Sequence, residues 1–335
     1  MGLKSLLLKT VDTLNLYPIF NRYTKDTATI FMLHSITPSG IHREGAISTD
    51  ELEAHFEYLK RKRYNVLSLR EYINSLINHE NTYKTVVFTV DDGYRDFYVN
   101  AFDSFKRYDF PATVFITSDF IEKRLFFWWD TIEFSFQNTC RENIDLDSIG
   151  MGLTDIGTPQ RKADIAQKIT RYCKKLPNNE KLSLISDLVG KLQVDISDQP
   201  RGIYEPLSWD EIRDMADHKI DFLPHTKTHP ILSRISSAEQ EVELTEPKRV
   251  IEERLAKKAD IFCYPNGQWD DFTEETITIL KSAGYIAAVM GVPGFDNTRR
   301  NTDPFRLRRF GIPTEKPLFK QYVSGLERFK EMLLK

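Results

Sequence analysis

Thr85-Val86-Val87-Phe88-Thr89-Val90-Asp91-Asp92-Gly93-Tyr94-Arg95-Asp96 is the stretch whose reading decides the fold. Its apolar, β-branched beginning reads as a buried strand. The strand ends in two adjacent carboxylates and a glycine. Neighbouring side chains on a strand point to opposite faces, so Asp91 and Asp92 meet different surroundings. Two like charges side by side are costly unless a cation or a proton lies between them. Gly93 permits a sharp turn after the strand. Asp-Asp-Gly also makes an ordinary turn, and that structural reading stands beside the functional one. In α/β proteins the chemistry gathers at the carboxyl ends of strands.

Working outward, 28–36 reads as a second apolar strand that delivers His34 near its end. A helix follows over 49–63, with Thr49 as its N-cap. Residues 65–69 read as a short strand, and Ser68 caps a helix over 69–78. Beyond the central strand come a helix over 96–108 and a strand over 112–120. Alternating strands and helices predict parallel strands with covering helices. From about 121 to 204 the strand pattern stops, which predicts a helical insertion with helices over 161–176 and 180–192. Its aromatic run Phe126-Phe127-Trp128-Trp129 suits a cleft wall, since flat apolar rings stack on planar ligands. Strands resume at 220–223, 261–264, 285–290 and 305–312, with helices over 209–217, 239–257 and 273–283 between them. A single helix over 318–334 ends the chain.

The 335 residues carry a formal net charge of only −3, which argues against a nucleic-acid partner. Cys140, Cys173 and Cys263 are far apart and odd in number, so no disulfide framework is expected and a reducing compartment fits. No apolar run reaches membrane-spanning length. Near the N-terminus, Leu3, Leu7, Val11 and Leu14 share one helical face. A helix packed on the domain is the expectation, and peripheral contact with a membrane surface is the alternative. The Leu6–Leu8 run is too short for a secretory signal, so a cytoplasmic location is expected, with contact at the inner membrane face as the alternative.

His225 and His229 stand directly after the 220–223 strand, bracketed by Pro224 and Pro230. The prolines predict a turn or one irregular helical turn that brings both imidazoles together. Two histidines and a carboxylate make a metal site with open positions, and Asp92 is the carboxylate expected there.

Three ordered motifs, Thr89 to Gly93, His225 to His229 and Phe262 to Gly267, resemble those of the polysaccharide deacetylase family. That family is also called NodB-homology or carbohydrate esterase family 4. The resemblance implies a distorted (β/α) barrel over 25–316 interrupted by the insertion, with an N-terminal helix over 1–24 and a C-terminal helix over 317–335. It implies that Asp91 is the general base, that Asp92, His225 and His229 hold one divalent metal ion, commonly Zn2+, and that the Tyr264 backbone N–H helps bind the oxyanion. The expected substrate is an N-acetylated carbohydrate, a glycan or glycan precursor. Two departures from the family pattern stand out. No histidine follows His229, so His34 on the first strand is expected to fill the general-acid position, because a barrel is cyclic. The arginine ahead of the Pro-Tyr motif is replaced, so Arg309 on the last strand is expected to orient Asp91, with Arg306 and Arg308 as competitors. Tyr94, Asn266, Trp128, Trp129 and Trp269 are the expected substrate-binding residues, and Asp96 is expected at the same mouth. The rival readings are a deacylase of a non-sugar amide, an iron oxygenase and a catalytically silent glycan-binding protein.

Overall fold

The computed structural model describes residues 10–14, 16–43, 45–196, 201–300 and 302–333. Seven short parallel strands enclose the core: β1 (Ala28–Leu33), β2 (Thr85–Val90), β3 (Ala112–Ile116), β4 (Ile220–Pro224), β5 (Ile261–Cys263), β6 (Ala287–Val289) and β7 (Phe310–Gly311). Hydrogen bonds link them in the order β7-β1-β2-β3-β4, while β5 and β6 form a separate pair. The segment 307–312 closes one side of the ring. Leu307 bonds the β6 end at Ala288 and Met290, and Ile312 bonds Met32 of β1. Between β4 and β5 no ladder forms among the described residues. There the His225 ring reaches across to the Cys263 carbonyl at 2.8 Å. The result is the distorted barrel expected from the sequence, split beside the His225–His229 turn.

β2 is the hub. It pairs with β1 over its whole length and with β3 through Thr89 and Val90. All six of its residues are buried, because the barrel interior lies on one face and covering helices on the other. Helices α1 (Thr49–Arg61) and α2 (Leu69–Ile77) cover it. Each opens on a Ser-x-x-Glu capping box. The α1 cap is Ser48 rather than Thr49, because Ser48 and Glu51 satisfy each other's orphan donors and acceptors.

The predicted 112–120 strand stops at Ile116, and Ser118–Ile121 turns helical. The insertion holds α3 (Trp128–Asn138), α4 (Pro159–Cys173) and α5 (Asn178–Leu192), but it is not purely helical. Asn143–Asp145 pairs antiparallel with Leu153–Asp155. These three-residue strands have only one or two inward side chains, too few to show a period in the sequence. The insertion has a core of its own, built on Ile132, Phe136, Ile169, Cys173, Leu188 and Leu192. A further long helix, α6 (Ser237–Leu255), packs beside β4.

The expected last strand, 305–312, shrinks to β7, since Pro304–Arg306 forms a 3-10 turn. The expected C-terminal helix is two helices, Lys316–Val323 and Leu326–Leu333, interrupted at Gly325 with φ +82°. The Tyr17–Thr24 3-10 helix packs against them through Tyr17, whose hydroxyl donates to the Pro317 carbonyl at 3.0 Å. Leu3 and Leu7 lie outside the described residues, and Leu14 is exposed. Among the described residues no helix is long and apolar enough to cross a membrane.

Candidate active site

β2 carries its two carboxylates into different environments, and the backbone shows why. The Asp91 N–H still donates to Leu33 of β1 at 2.9 Å, so Asp91 keeps the strand direction. Asp92 then adopts φ +77° and Gly93 φ +92°. A Cβ on Gly93 would meet Ile116 and Ile121 at 3.0 Å, so both the conformation and the space call for glycine.

Asp91 points into the barrel against Arg309. The guanidinium grips it bidentately at 2.7 and 2.8 Å. Arg309 also donates to the Thr89 hydroxyl and the Met290 carbonyl, each at 2.9 Å, and lies 3.1 Å from Cys263 Sγ. Both partners are almost fully buried. Burial pushes the Asp91 carboxyl up, but the charge and hydrogen bonds of Arg309 outweigh it and hold the group below the usual carboxylate range. The competing arginines are engaged elsewhere, Arg308 with Asp296 and Arg306 with Asp303 and Glu274.

Asp92 faces the two histidines. Its Oδ1 is 3.5 Å from His225 Nε2 and 3.4 Å from His229 Nε2, and the two Nε2 atoms are 3.1 Å apart. The His225–His229 segment is a turn, with Thr226 at φ +65° and His229 at φ +60°. Glu243 of α6 holds it. One carboxylate oxygen accepts the N–H groups of Lys227 and Thr228 at 2.8 Å each, and the other accepts the Thr228 hydroxyl at 2.6 Å.

These three residues fit a metal ion. His225 Nδ1 lies 2.8 Å from the Cys263 carbonyl, an acceptor only, so Nδ1 carries the proton there. In neutral His225 this leaves the Nε2 lone pair facing a carboxylate and a second ring nitrogen. Asp92 Oδ1 and the Nε2 atoms of both rings converge on one point, where a cation would be bound by all three. Burial pulls His225 down, but Cys263 and Asp92 together lift it well above the ordinary range, while burial beside that charge pulls His229 down to about 4. A second grouping, Asp91 with His225 and Cys263, is also compact. It does not suit a cation, because the Arg309 guanidinium already lies against both Asp91 and Cys263.

His34 follows β1 directly, and its Nε2 is 3.8 Å from Asp91 Oδ2. The structure thus brings the early histidine, the arginine of 307–312 and the β2 carboxylate together at one end of the barrel.

The remaining expected residues divide. Trp129 packs edge-on to His229, with ring centroids 4.6 Å apart, and stacks on Phe127 at 4.4 Å. Tyr94 is buried, and its hydroxyl donates to Asp130 at 2.6 Å while accepting the Trp129 indole N–H at 3.1 Å. It therefore fixes the insertion to the Asp92 turn rather than offering a free hydroxyl. Trp128 packs in the insertion's own core under Lys181, away from solvent, because successive helical residues diverge by about 100°. Trp269 is 60% exposed on the 266–272 loop, and Asn266 stands at φ +60° at the start of that loop. The Tyr264 N–H donates to Val289 of β6 at 3.2 Å, and its ring stacks on Phe272. That amide is part of the β5–β6 ladder and is not free for an oxyanion.

Sequence reasoning missed Asp130 and Glu243. The Trp-Trp-Asp run at the start of α3 was the available signal for Asp130; nothing local marked Glu243. Burial lifts the Asp130 carboxyl to about 8, against the Tyr94 hydrogen bond and with help from the Asp92 charge. The folded chain then holds a proton that the unfolded chain releases near pH 4, so this group makes stability fall as pH rises from about 4 to about 8. Asp130→Asn lacks that penalty. In metal-free protein its stability should gain on the parent across that window and level off above it, measured by urea unfolding at several pH values. Parallel curves would contradict this reading of Asp130.

The fold and these strand-end groups define a class, and the sequence comparison agrees with it. The chain belongs to the polysaccharide deacetylase family, whose profile matches residues 78–288. A curated relative, YxkH of Bacillus subtilis (strain 168), is named provisionally as a polysaccharide deacetylase and is 21% identical over 266 residues. That alignment covers 79% of this chain but only 64% of the relative's length. Among solved structures, the Streptococcus pyogenes deacetylase PplD, in complex with acetate, superposes with a TM-score of 0.59 at 17% identity, over 91% of this chain and 98% of its own. IcaB from Ammonifex degensii gives 0.58 at 16% identity, over 90% and 97%. At such identities the structures establish a shared fold.

Proposed function

We propose that this chain is a metal-dependent N-deacetylase of an N-acetylated glycan or glycan precursor. One observation carries the reading: a buried carboxylate, held by a bidentate arginine, lies directly beside three converging metal-ligand side chains on a deacetylase fold. Asp92, His225 and His229 would hold the cation, and two imidazoles with one carboxylate suit zinc among other divalent ions. When bound, the ion supplies a Lewis acid that polarises an acetamide carbonyl and acidifies water.

The protein's own groups do the rest. Asp91 accepts the proton of water as its oxygen adds to the acetamide carbon. Arg309 keeps that carboxylate ionised and aimed. His34 delivers a proton to the departing nitrogen as the C–N bond breaks, giving acetate and a free amine. Amine departure needs such an acid, because an amide anion is a poor leaving group. Trp129 walls the His229 side, and exposed Trp269 offers an apolar face to a sugar ring. The Tyr264 amide is given no part, since it is engaged with Val289.

The test is acetate release from N-acetylglucosamine oligomers by the purified chain. Acetate should appear with an equal amount of free amine, stop on chelation and return with added zinc. Release that ignores the chelator, or none from any acetylated oligomer under metal-loaded conditions, would overturn the proposal.

A further inference from the structure

His34 has little to aim it. Its side chain is 46% exposed, and the ion-pair distance to Asp91 is 3.8 Å, too long for a hydrogen bond. Packing does not fix a half-exposed ring, so its direction must come from the backbone on either side. On the N-terminal side, the Leu33 carbonyl accepts the Asp91 N–H at 2.9 Å. On the C-terminal side, Ser35–Thr37 is a short strand paired in parallel with Ala46–Ser48, and one carboxylate oxygen ties its first two residues to the segment that follows the base. Asp96 Oδ2 accepts the Ser35 hydroxyl at 2.5 Å and the Ile36 N–H at 3.0 Å. Asn100, on the same short helix as Asp96, donates to the Ile36 carbonyl at 2.8 Å. Arg43 adds a hydrogen bond to the Ser35 hydroxyl. The residues before and after His34 are thus both tied to the segment that carries the base.

The location is an expensive one for a carboxylate. Asp96 Oδ1 is buried and makes no hydrogen bond among the described residues. Burial lifts the group to about 6, against its hydrogen bonds from Ser35 and Ile36. His34 and Ser35 border a cavity of about 390 Å³, walled further by Ile47, Ile312, Pro313 and Leu318.

We propose that Asp96 is a positioning residue: by holding Ser35 and Ile36 at the start of that short strand it aims His34 at the departing nitrogen. The inference rests on the reading of His34 as the acid. It predicts a defect that depends on the leaving group. Amine departure needs the acid, whereas the phenolate of 4-nitrophenyl acetate leaves without one.

The experiment compares kcat for an N-acetylglucosamine oligomer and for 4-nitrophenyl acetate in the zinc-loaded full chain. Both His34→Ala and Asp96→Ala should lose about 100-fold on the amide, the scale of a displaced or missing acid. Both should keep ester turnover within about threefold and bind zinc as the parent does. Asp96→Asn retains a carbonyl that accepts the same two hydrogen bonds, and should stay within about fivefold on the amide. Ser35→Ala removes one of the two and should show a smaller loss confined to the amide; it serves if Asp96→Ala does not fold. If His34→Ala is selective but Asp96→Ala, or Ser35→Ala in its place, is not, the positioning role is overturned and the acid stands. If Asp96→Ala lowers both reactions equally, Asp96 is structural only. If His34→Ala itself spares the amide or lowers both reactions alike, the reading of His34 falls first.

Discussion

Replacing Asp91 with asparagine should lower kcat on an acetylated oligomer by about 10³-fold while the chain still binds its metal. Asparagine has the shape of aspartate but no basic oxygen to take the proton of water. Asp91 stands outside the Asp92–His225–His229 cluster, so the cation site should survive the change. The substitution also leaves the Arg309 charge buried without its counter-charge, which lowers stability. Turnover must therefore be compared on folded, metal-loaded protein, with zinc content measured on the same samples. Turnover within about tenfold of the parent would rule out Asp91 as the base.

Arg309→Leu should be the most destabilising of the substitutions considered. The guanidinium makes four short donor contacts, to both Asp91 oxygens, to Thr89 and to Met290, inside the closed part of the barrel. Breaking a buried pair from one side typically costs about 3–5 kcal/mol, because a charge is left without compensation. The interaction holds Asp91 below the usual carboxylate range, so its stabilisation is full above the unfolded carboxylate pKa and is lost as pH falls through the depressed folded value. Arg309→Lys keeps the charge but not the planar fork, and should fall between the parent and the leucine variant. Joint replacement, Asp91→Asn with Arg309→Met, should recover part of the loss, since no charge then remains buried. Urea unfolding at neutral pH measures all four proteins. A leucine variant within about 1 kcal/mol of the parent would contradict a buried, matched pair.

Much of this site was legible because its residues are punctuation. Asp91-Asp92-Gly93 ends an apolar run, His225 and His229 sit between prolines, and Pro265-Asn266-Gly267 follows another apolar run. Each mark falls at a strand end, where the fold gathers its chemistry. The permuted pair, His34 and Arg309, was reachable from the closure of the ring, and the structure places both against Asp91. Elements defined by long-range pairing were less legible. The 305–312 segment reads as a strand by composition, yet Pro304 and the approach to two different neighbours leave only two residues of β7. The short hairpin of the insertion has too few residues for a period. The oxyanion assignment to Tyr264 rested on resemblance alone, and a ladder bond to Val289 engages that amide. Trp128 and Trp129 look alike in sequence, but the turn of α3 sends one into the insertion's core and the other against His229. Glu243 was hidden because it acts on backbone N–H groups from a distant helix.

The central claim is the cation, and it is tested most directly by the metal bound per chain. Purified protein, stripped and then dialysed against zinc, should hold close to one ion per chain. Asp92→Ala and His225→Ala should each lose it while remaining folded by circular dichroism. A parent chain that takes up no divalent ion, or variants that bind as the parent does, would contradict the account at its base.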